Sequence, residues 1–245
     1  MRKFGLIGHP LTHSFSKKYF TEKFERERIE GCSYELYDIP NVHALEGILS
    51  ENPEIEGINV TIPHKEDVIA LMDDLDEACE EIGAVNCIHI QDGMRIGYNT
   101  DYIGFKESLS SWLGLVKPKA LVLGTGGASK AVKQALKDLG IEFLSVSRTE
   151  DEDQITYEEL ASDADLMLSH MLIVNTTPLG TFPNVEGIPA IPVDQLTSEH
   201  FVYDLVYNPA ETALMKACLA KGGKAKNGHE MLILQAEAAW KIWNS

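Results

Sequence analysis

The chain has 245 residues, of which 44% are hydrophobic and 24% charged, the composition of an ordinary globular protein with room for one large domain or two modest ones. Its formal net charge of −17, from 21 basic and 38 acidic residues, argues against nucleic acid or an anionic membrane as the main partner and requires any anionic ligand to find a locally positive site. No apolar run approaches the length of a membrane span, the segment over residues 1–8 is too short for a signal peptide, and Cys32, Cys79, Cys87 and Cys218 lack the spacing of a metal site or redox motif, so a cytoplasmic protein with reduced thiols is expected.

In chain order, residues 3–8 read as a strand, 15–29 as an amphipathic helix with Phe15, Phe20 and Phe24 on one side, 34–39 as a strand, 42–50 as a helix and 57–60 as a strand. Helical segments are expected over 65–82. A hairpin follows over 86–91 and 95–98, its turn marked by Asp92-Gly93. These elements predict an α/β domain with a mixed sheet. A helix carrying Tyr102, Ile103, Phe105, Leu109 and Trp112 bridges into a second half, and Lys117-Pro118 ends it. There the apolar run 120–123 meets Gly124-Thr125-Gly126-Gly127-Ala128-Ser129, a helical pattern follows to Gly140, and a strand over 143–146 ends at Ser147-Arg148-Thr149. The acidic run 150–153 reads as a solvated loop, and Thr156 with Glu159 as a capping box. Strands over 172–175 and 201–205 continue a parallel sheet. A last helix over 230–243, with Met231, Leu234, Ala238 and Trp240 or Ile242 facing a core, is expected to return to the first domain and leave a cleft between the two.

The glycine cluster carries the clearest chemistry. Glycines between a strand and a helix let backbone N–H groups approach a pyrophosphate at a helix N-terminus, where the macrodipole favours anions. At the tip of the next strand, where NAD-binding folds place an acidic residue for the ribose hydroxyls, stands Arg148, which suits a 2′-phosphate and points to NADP. A glycine turn without a cofactor is the plainer alternative; the flanking strand, helix and arginine weigh against it.

In the first half, Ser14 and Ser16 flank one residue at a helix start and could cradle a carboxylate, although Ser14 taken by itself is better explained by plain N-capping. Lys65 follows Pro63 and opens the expected helical stretch, where a cation is poorly placed for the dipole, which invites a functional reading over that of a surface lysine. Asp101 reads either as a helix N-cap or, with Lys65, as an acid–base pair at strand ends. His9 and His13 are four residues apart, but Pro10 breaks any helix between them, so no metal site is expected.

Taken together, Gly8-x-Pro10-x-x-His13-Ser14-x-Ser16, Asn59-Val60-Thr61-x-Pro63-x-Lys65, Gly83-Ala84-Val85-Asn86, Asn99-Thr100-Asp101-x-x-Gly104, the glycine cluster, Ser147-Arg148-Thr149, Asp204-Leu205-Val206-Tyr207-Asn208-Pro209 and Gly228-x-x-Met231-Leu232-x-x-Gln235 resemble the shikimate dehydrogenase family, in that family's order and over residues 8–236. The resemblance implies reversible NADPH-dependent reduction of 3-dehydroshikimate to shikimate in aromatic amino-acid biosynthesis. It implies a mixed-sheet α/β substrate domain (residues 1–100 and 229–245) and a Rossmann-like NADP domain (101–228). Lys65 and Asp101 would be the catalytic pair. Ser14, Ser16 and Tyr207 would hold the substrate carboxylate, and Thr61, Asn86, Thr100, Asp101 and Gln235 the ring hydroxyls. Gly124, Thr125, Gly126, Gly127 and Ala128 would cradle the pyrophosphate, and Ser147, Arg148 and Thr149 the 2′-phosphate. Leu205, Gly228 and Met231 would lie on the nicotinamide side, and Glu77 near the cofactor. The expected partners are these small molecules alone, with no nucleic acid or membrane, in a monomer or homodimer.

Three departures stand out: Lys17 replaces the family's usual proline, Ser147-Arg148-Thr149 replaces Asn-Arg-Thr and runs into Glu150-Asp151-Glu152-Asp153, and Asn175-Thr176-Thr177-Pro178 replaces Asn-x-Thr-Ser. A quinate/shikimate dehydrogenase with looser substrate and NAD use remains open, as does a catalytically silent NADP-binding sensor.

Overall fold

The computed structural model describes residues 1–11 and 14–245. His13, and with it the four-residue interval to His9, lies outside the described residues. The chain forms two compact units, one of Met1–Ile103 with Gln235–Ser245 and the other of Gly104–Leu234.

The first unit contains β1 (Arg2–Gly8), α1 (Phe15–Glu27), β2 (Cys32–Asp38), α2 (Ala44–Glu51), β3 (Ile55–Val60), a 3-10 turn (Asp67–Leu71), β4 (Asp74–Leu75), α3 (Glu77–Ile82), β5 (Cys87–Gln91) and β6 (Met94–Tyr98), followed by the start of α4 (Thr100–Leu113). The sheet order is β2-β1-β3-β5-β6-β4. β1 is parallel to β2 and β3, whereas β5 runs antiparallel to β3 and β6, so the sheet is mixed, as the hairpin implied. Asp92 and Gly93 both take positive φ, 53° and 82°, the conformation a two-residue hairpin turn demands.

One face of this sheet packs an aromatic cluster. Phe20 of α1 stacks on Tyr34 of β2 at 4.7 Å, and Phe4 stacks on Trp243 near the end of the chain at 4.9 Å. The Trp243 indole donates to the Ile88 carbonyl at 2.9 Å, satisfying its one polar atom in the core. Gly57 of β3 is the residue that admits this ring, since a Cβ there would lie 2.3 Å from Trp243 Nε1. The sequence pattern placed Trp240 or Ile242 inward; Trp243 is the more deeply buried, and Trp240 packs at the cluster's margin.

The helical segments expected over 65–82 are present as a 3-10 turn and a short α-helix, but they begin later than expected and a strand separates them. Lys65 sits in a turn, the 3-10 segment starts only at Asp67, and β4 intervenes before α3. The dipole argument for Lys65 therefore loses its premise. The break lies at Asp73-Asp74-Leu75-Asp76: Asp73 accepts the Arg95 backbone N–H at 2.8 Å, Leu75 pairs with Gly97, and Asp76 caps α3 through Ala78 N. Side chains that bond nearby backbone compete with helix continuation.

The second unit adds β7 (Ala120–Leu123), α5 (Gly127–Asp138), β8 (Phe143–Ser147), β9 (Gln154–Thr156), α6 (Tyr157–Ser162), α7 (Ala164–Ser169), β10 (Leu172–Asn175), β11 (Phe201–Asp204), α8 (Ala213–Ala220), β12 (Lys224–Asn227) and the start of α9 (His229–Ile242). Its sheet is parallel throughout, in the order β12-β11-β10-β7-β8-β9. This is the doubly wound Rossmann order, which reverses direction between β7 and β10. The strands β7 and β10 are buried on both faces, as in a sheet covered by helices. The capping box on α6 forms in full, Thr156 Oγ1 accepting Glu159 N and Glu159 accepting Thr156 N.

Candidate active site

In the first unit the C-terminal ends of β1 and β3 and the start of α4 assemble a polar group of residues. Lys65 Nζ lies 2.6 Å from Asp101 Oδ2, with both side chains largely removed from solvent. The Lys65 carbonyl accepts Val85 N at 2.7 Å, which ties the lysine's turn to the segment leading to Asn86. Asp101 does not cap its helix. That position belongs to Asn99, whose Oδ1 accepts Tyr102 N at 3.0 Å while its amide donates to the Ala84 carbonyl at 2.8 Å. The N-cap alternative for Asp101 is thereby corrected: an asparagine two residues earlier satisfies the helix N–H, leaving the carboxylate to Lys65.

Around this pair the buried polar groups form a chain. Asn86 Oδ1 accepts both Thr100 N (2.6 Å) and Thr100 Oγ1 (3.2 Å), and Thr100 Oγ1 also lies 3.4 Å from Gln235 Oε1. Asn59 Nδ2 donates to the Asn86 carbonyl at 3.3 Å, and Asn59 Oδ1 accepts the Tyr34 hydroxyl at 2.8 Å. Burial drives the Tyr34 phenol well above its usual range, with the Ser16 hydroxyl beside it acting weakly the other way. Tyr34 was not singled out from the sequence, and Asn59 entered only as the first residue of a motif, with no role assigned; the signal available was a polar residue inside an apolar strand. Ser14 is the N-cap of α1, accepting Lys17 N at 3.3 Å, and the first turn of α1 carries no acid. Lys17, in place of the family's proline, pairs with Glu35 at 2.8 Å. Thr61 is half-buried, and its methyl would lie 2.4 Å from a Cβ at Gly8, which fixes glycine there. Glu77, exposed, occupies the first turn of α3, where the helix dipole accounts for a carboxylate.

In the second unit Gly124 follows β7 at the switch point, with φ +104°, and a Cβ there would lie 2.9 Å from Thr176 Oγ1 beyond β10. Gly126 is the N-cap of α5, and beyond its chain neighbours no atom of the described residues lies within 4 Å of where its Cβ would be. Packing among the described residues therefore does not demand that glycine, whereas the close approach of a phosphate to the backbone would. Thr125 and Gly126 are exposed, Gly127 and Ala128 half-exposed, and no acid occupies the first turn of α5. Ser129 is buried and donates to the Gly126 carbonyl at 2.7 Å, filling the third small position of the fingerprint. At the tip of β8, Ser147 Oγ accepts Thr149 N at 3.3 Å. Arg148 is exposed and makes no ion pair among the described residues. The acidic run 150–153 is also exposed; Asp151 bonds Glu152 N, and Asp153 lies near Lys133. The residues present therefore fit a 2′-phosphorylated dinucleotide: a bare helix N-terminus, a glycine that leaves open space, and a guanidinium with hydroxyls beside it.

Leu205 follows β11 and its N–H donates to the Asn175 carbonyl at 3.0 Å. Tyr207 is exposed. Gly228 is buried against Leu205: a Cβ would sit 2.1 Å from the Leu205 carbonyl oxygen. Met231 is buried in the first turns of α9.

A Rossmann-ordered sheet bearing this loop and arginine, joined to a mixed-sheet unit with a half-buried lysine–aspartate pair, defines a dinucleotide-dependent oxidoreductase. Residues 6–88 match the model of the shikimate dehydrogenase substrate binding domain. The shikimate dehydrogenase (NADP(+)) of Methanocaldococcus jannaschii is 37% identical, over 98% of this chain and 90% of that protein. The structure of shikimate 5-dehydrogenase from Thermus thermophilus in complex with NADP(H) and shikimate superposes with a TM-score of 0.86 at 33% identity, covering 99% of this chain and 93% of that one. Quinate dehydrogenase from Corynebacterium glutamicum in complex with NAD gives a TM-score of 0.87 at 27% identity, over 99% and 93% of the two chains. The chain belongs to the shikimate dehydrogenase family.

Proposed function

We propose that this chain catalyses the reversible NADPH-dependent reduction of 3-dehydroshikimate to shikimate in aromatic amino-acid biosynthesis. The observation that carries the reading is the 2.6 Å Lys65–Asp101 contact, with Asp101 relieved of capping by Asn99. NADPH, when bound, supplies the hydride. As the ketone is reduced, negative charge grows on its oxygen; Lys65 stabilises that charge and passes a proton to it, and Asp101 holds the ammonium in place and accepts a hydrogen bond from the product hydroxyl. In the oxidising direction the same oxygen returns its proton to this pair.

Ser14, Ser16 and Tyr207 are assigned to the substrate carboxylate, and Thr61, Asn86, Thr100, Asp101 and Gln235 to its hydroxyls. Asn86 and Thr100 hold one another, which fixes their remaining donors and acceptors and favours a hydroxylated ring over an apolar one. Residues 1–100 and 229–245 would serve as the substrate domain and 101–228 as the NADP domain. The pyrophosphate goes to Gly124, Thr125, Gly126, Gly127 and Ala128, the 2′-phosphate to Ser147, Arg148 and Thr149, and the nicotinamide to Leu205, Gly228 and Met231, with Glu77 nearby. We place the enzyme in the cytoplasm, as a monomer or homodimer without nucleic-acid or membrane partners; no helix among the described residues is long and apolar enough to cross a membrane.

A second reading, looser use of quinate and NAD, is favoured by the acidic run that follows Arg148. A four-way assay separates the two: shikimate or quinate with NADP⁺ or NAD⁺, followed by absorbance of the reduced cofactor. Turnover with shikimate and NADP⁺ well above the other three pairs is expected; turnover of quinate with NAD⁺ at an equal rate favours the second reading, and no turnover of either acid overturns both.

A further inference from the structure

Asp204 ends β11 fully buried, and its hydrogen-bond partners among the described residues are all uncharged. Its Oδ1 accepts Val206 N at 3.1 Å and Asn175 Nδ2 at 2.9 Å, and its Oδ2 accepts the Thr212 hydroxyl at 2.6 Å. A carboxylate removed from water costs stability unless hydrogen bonds compensate, so an acid kept here needs a reason beyond packing. Burial raises its pKa, and these same three donors act against the rise.

The partners come from a strand end, a loop and a helix N-cap. Asn175 closes β10, and its own Oδ1 accepts both Thr177 N (3.0 Å) and Thr177 Oγ1 (2.7 Å), which shapes the loop beside Gly124. Val206 lies in the loop after β11, and its carbonyl accepts Gly228 N at 3.3 Å. Thr212 is the N-cap of α8, its oxygen accepting Met215 N while its proton goes to Asp204. One carboxylate thus holds both ends of the 205–212 loop and links it to the 176–179 loop.

We propose that Asp204 is a positioning residue for the reaction: it sets the backbone of the loop that carries Leu205 and Tyr207. The inference rests on the assignment of those two residues to nicotinamide and substrate carboxylate. An uncharged residue of the same shape could not replace it fully. The carboxylate presents acceptors on both oxygens, matching three donors, whereas an amide presents one oxygen and turns its other atom into a donor facing the Thr212 hydroxyl.

The test compares Asp204→Ala and Asp204→Asn with Tyr207→Phe and the unaltered enzyme. For each, kcat and KM for shikimate are measured together with the Kd of adenosine 2′,5′-bisphosphate, a fragment that carries the adenosine and its two phosphates but no nicotinamide. Asp204→Ala should raise the shikimate KM and lower kcat, each by about tenfold or more, while fragment affinity stays within about twofold. Asp204→Asn, which keeps one acceptor, should fall between. If Asp204→Ala does not fold, the Asp204→Asn comparison decides alone: an unchanged KM and kcat overturns the proposal. Equal loss of fragment and substrate affinity also overturns it, since general loosening of the unit would give that. If Tyr207→Phe leaves KM unchanged, or the unaltered enzyme does not turn over shikimate, the underlying assignment fails instead.

Discussion

Arg148 offers the sharpest test of cofactor choice. The guanidinium stands exposed at the tip of β8 with no ion pair among the described residues, so replacing it removes no internal contact of that kind. A charge-assisted hydrogen bond to phosphate is worth about 1.5–3 kcal/mol. Solvent screening at an exposed site takes the lower part of that range, about 1.5–2 kcal/mol, which is roughly a 10- to 30-fold change in affinity. Arg148→Ala should therefore lower kcat/KM for NADP⁺ by that factor and leave NAD⁺ within about twofold, because NAD⁺ has no 2′-phosphate for the arginine to meet. Steady-state rates with each cofactor at fixed saturating shikimate measure both numbers. The gap should shrink as salt is raised, since the contact is electrostatic and accessible. Equal losses with the two cofactors would refute the assignment and make Arg148 an ordinary surface residue.

Lys65→Ala should lower kcat by about 10²–10⁴-fold with a much smaller change in KM, and the Lys65→Ala/Asp101→Ala double variant should lose less than the two single losses combined, because the pair acts as one unit; a near-normal rate for folded Lys65→Ala removes the lysine from the mechanism. Ser16→Ala should raise the shikimate KM and leave NADP⁺ affinity and Tm nearly unchanged, whereas Ser14→Ala should also cost about 1 kcal/mol of stability through the lost cap on α1; wild-type KM in both would leave Ser14 an ordinary cap. His200 is buried, its Nδ1 accepts Thr197 N at 3.0 Å, and its Nε2 therefore donates to the Met167 carbonyl, so burial holds its pKa below the ordinary imidazole value of 6.5. The unfolded chain binds that proton more readily, hence Tm should fall as pH drops from about 7 to about 5.5, and less steeply in a His200→Gln variant; identical slopes would exclude the histidine as a source.

Elements with a strong period or a glycine boundary were legible in the sequence. The run 120–123, the glycine loop and the helix after it stand where the pattern put them, as does the Asp92-Gly93 hairpin. What escaped was set by neighbours rather than by local pattern. β12 reads Lys-Ala-Lys-Asn, with no apolar alternation, and is a strand only because β11 offers an unpaired edge. Such polar edge strands are what sheets use to avoid pairing with other chains. β4 is two residues long and exists through its register with Ile96 and Gly97. Trp243, one residue past the end of α9, becomes core because Gly57, far away in sequence, leaves room for it.

The functional residues raise a related difficulty, since Ser, Thr, Asn and Asp at helix starts serve capping and chemistry equally well. Composition at the start of α4, Asn99-Thr100-Asp101, could not say which of three polar side chains closes the helix. Geometry divides the labour. Asn99 takes the helix N–H, Thr100 takes Asn86, and Asp101 takes Lys65. At α1 the outcome is the opposite: Ser14 is itself the cap, so any bond it gives a substrate must come from the hydroxyl proton, which capping leaves free. At α8, Thr212 does both at once, accepting from its helix and donating to Asp204. A polar residue at a helix start becomes a candidate for chemistry, then, when another atom has met the helix's need or when capping uses only its acceptor. Asp101 satisfies the first condition and Ser14 the second, which is why both stay in the proposed site although only one of them caps.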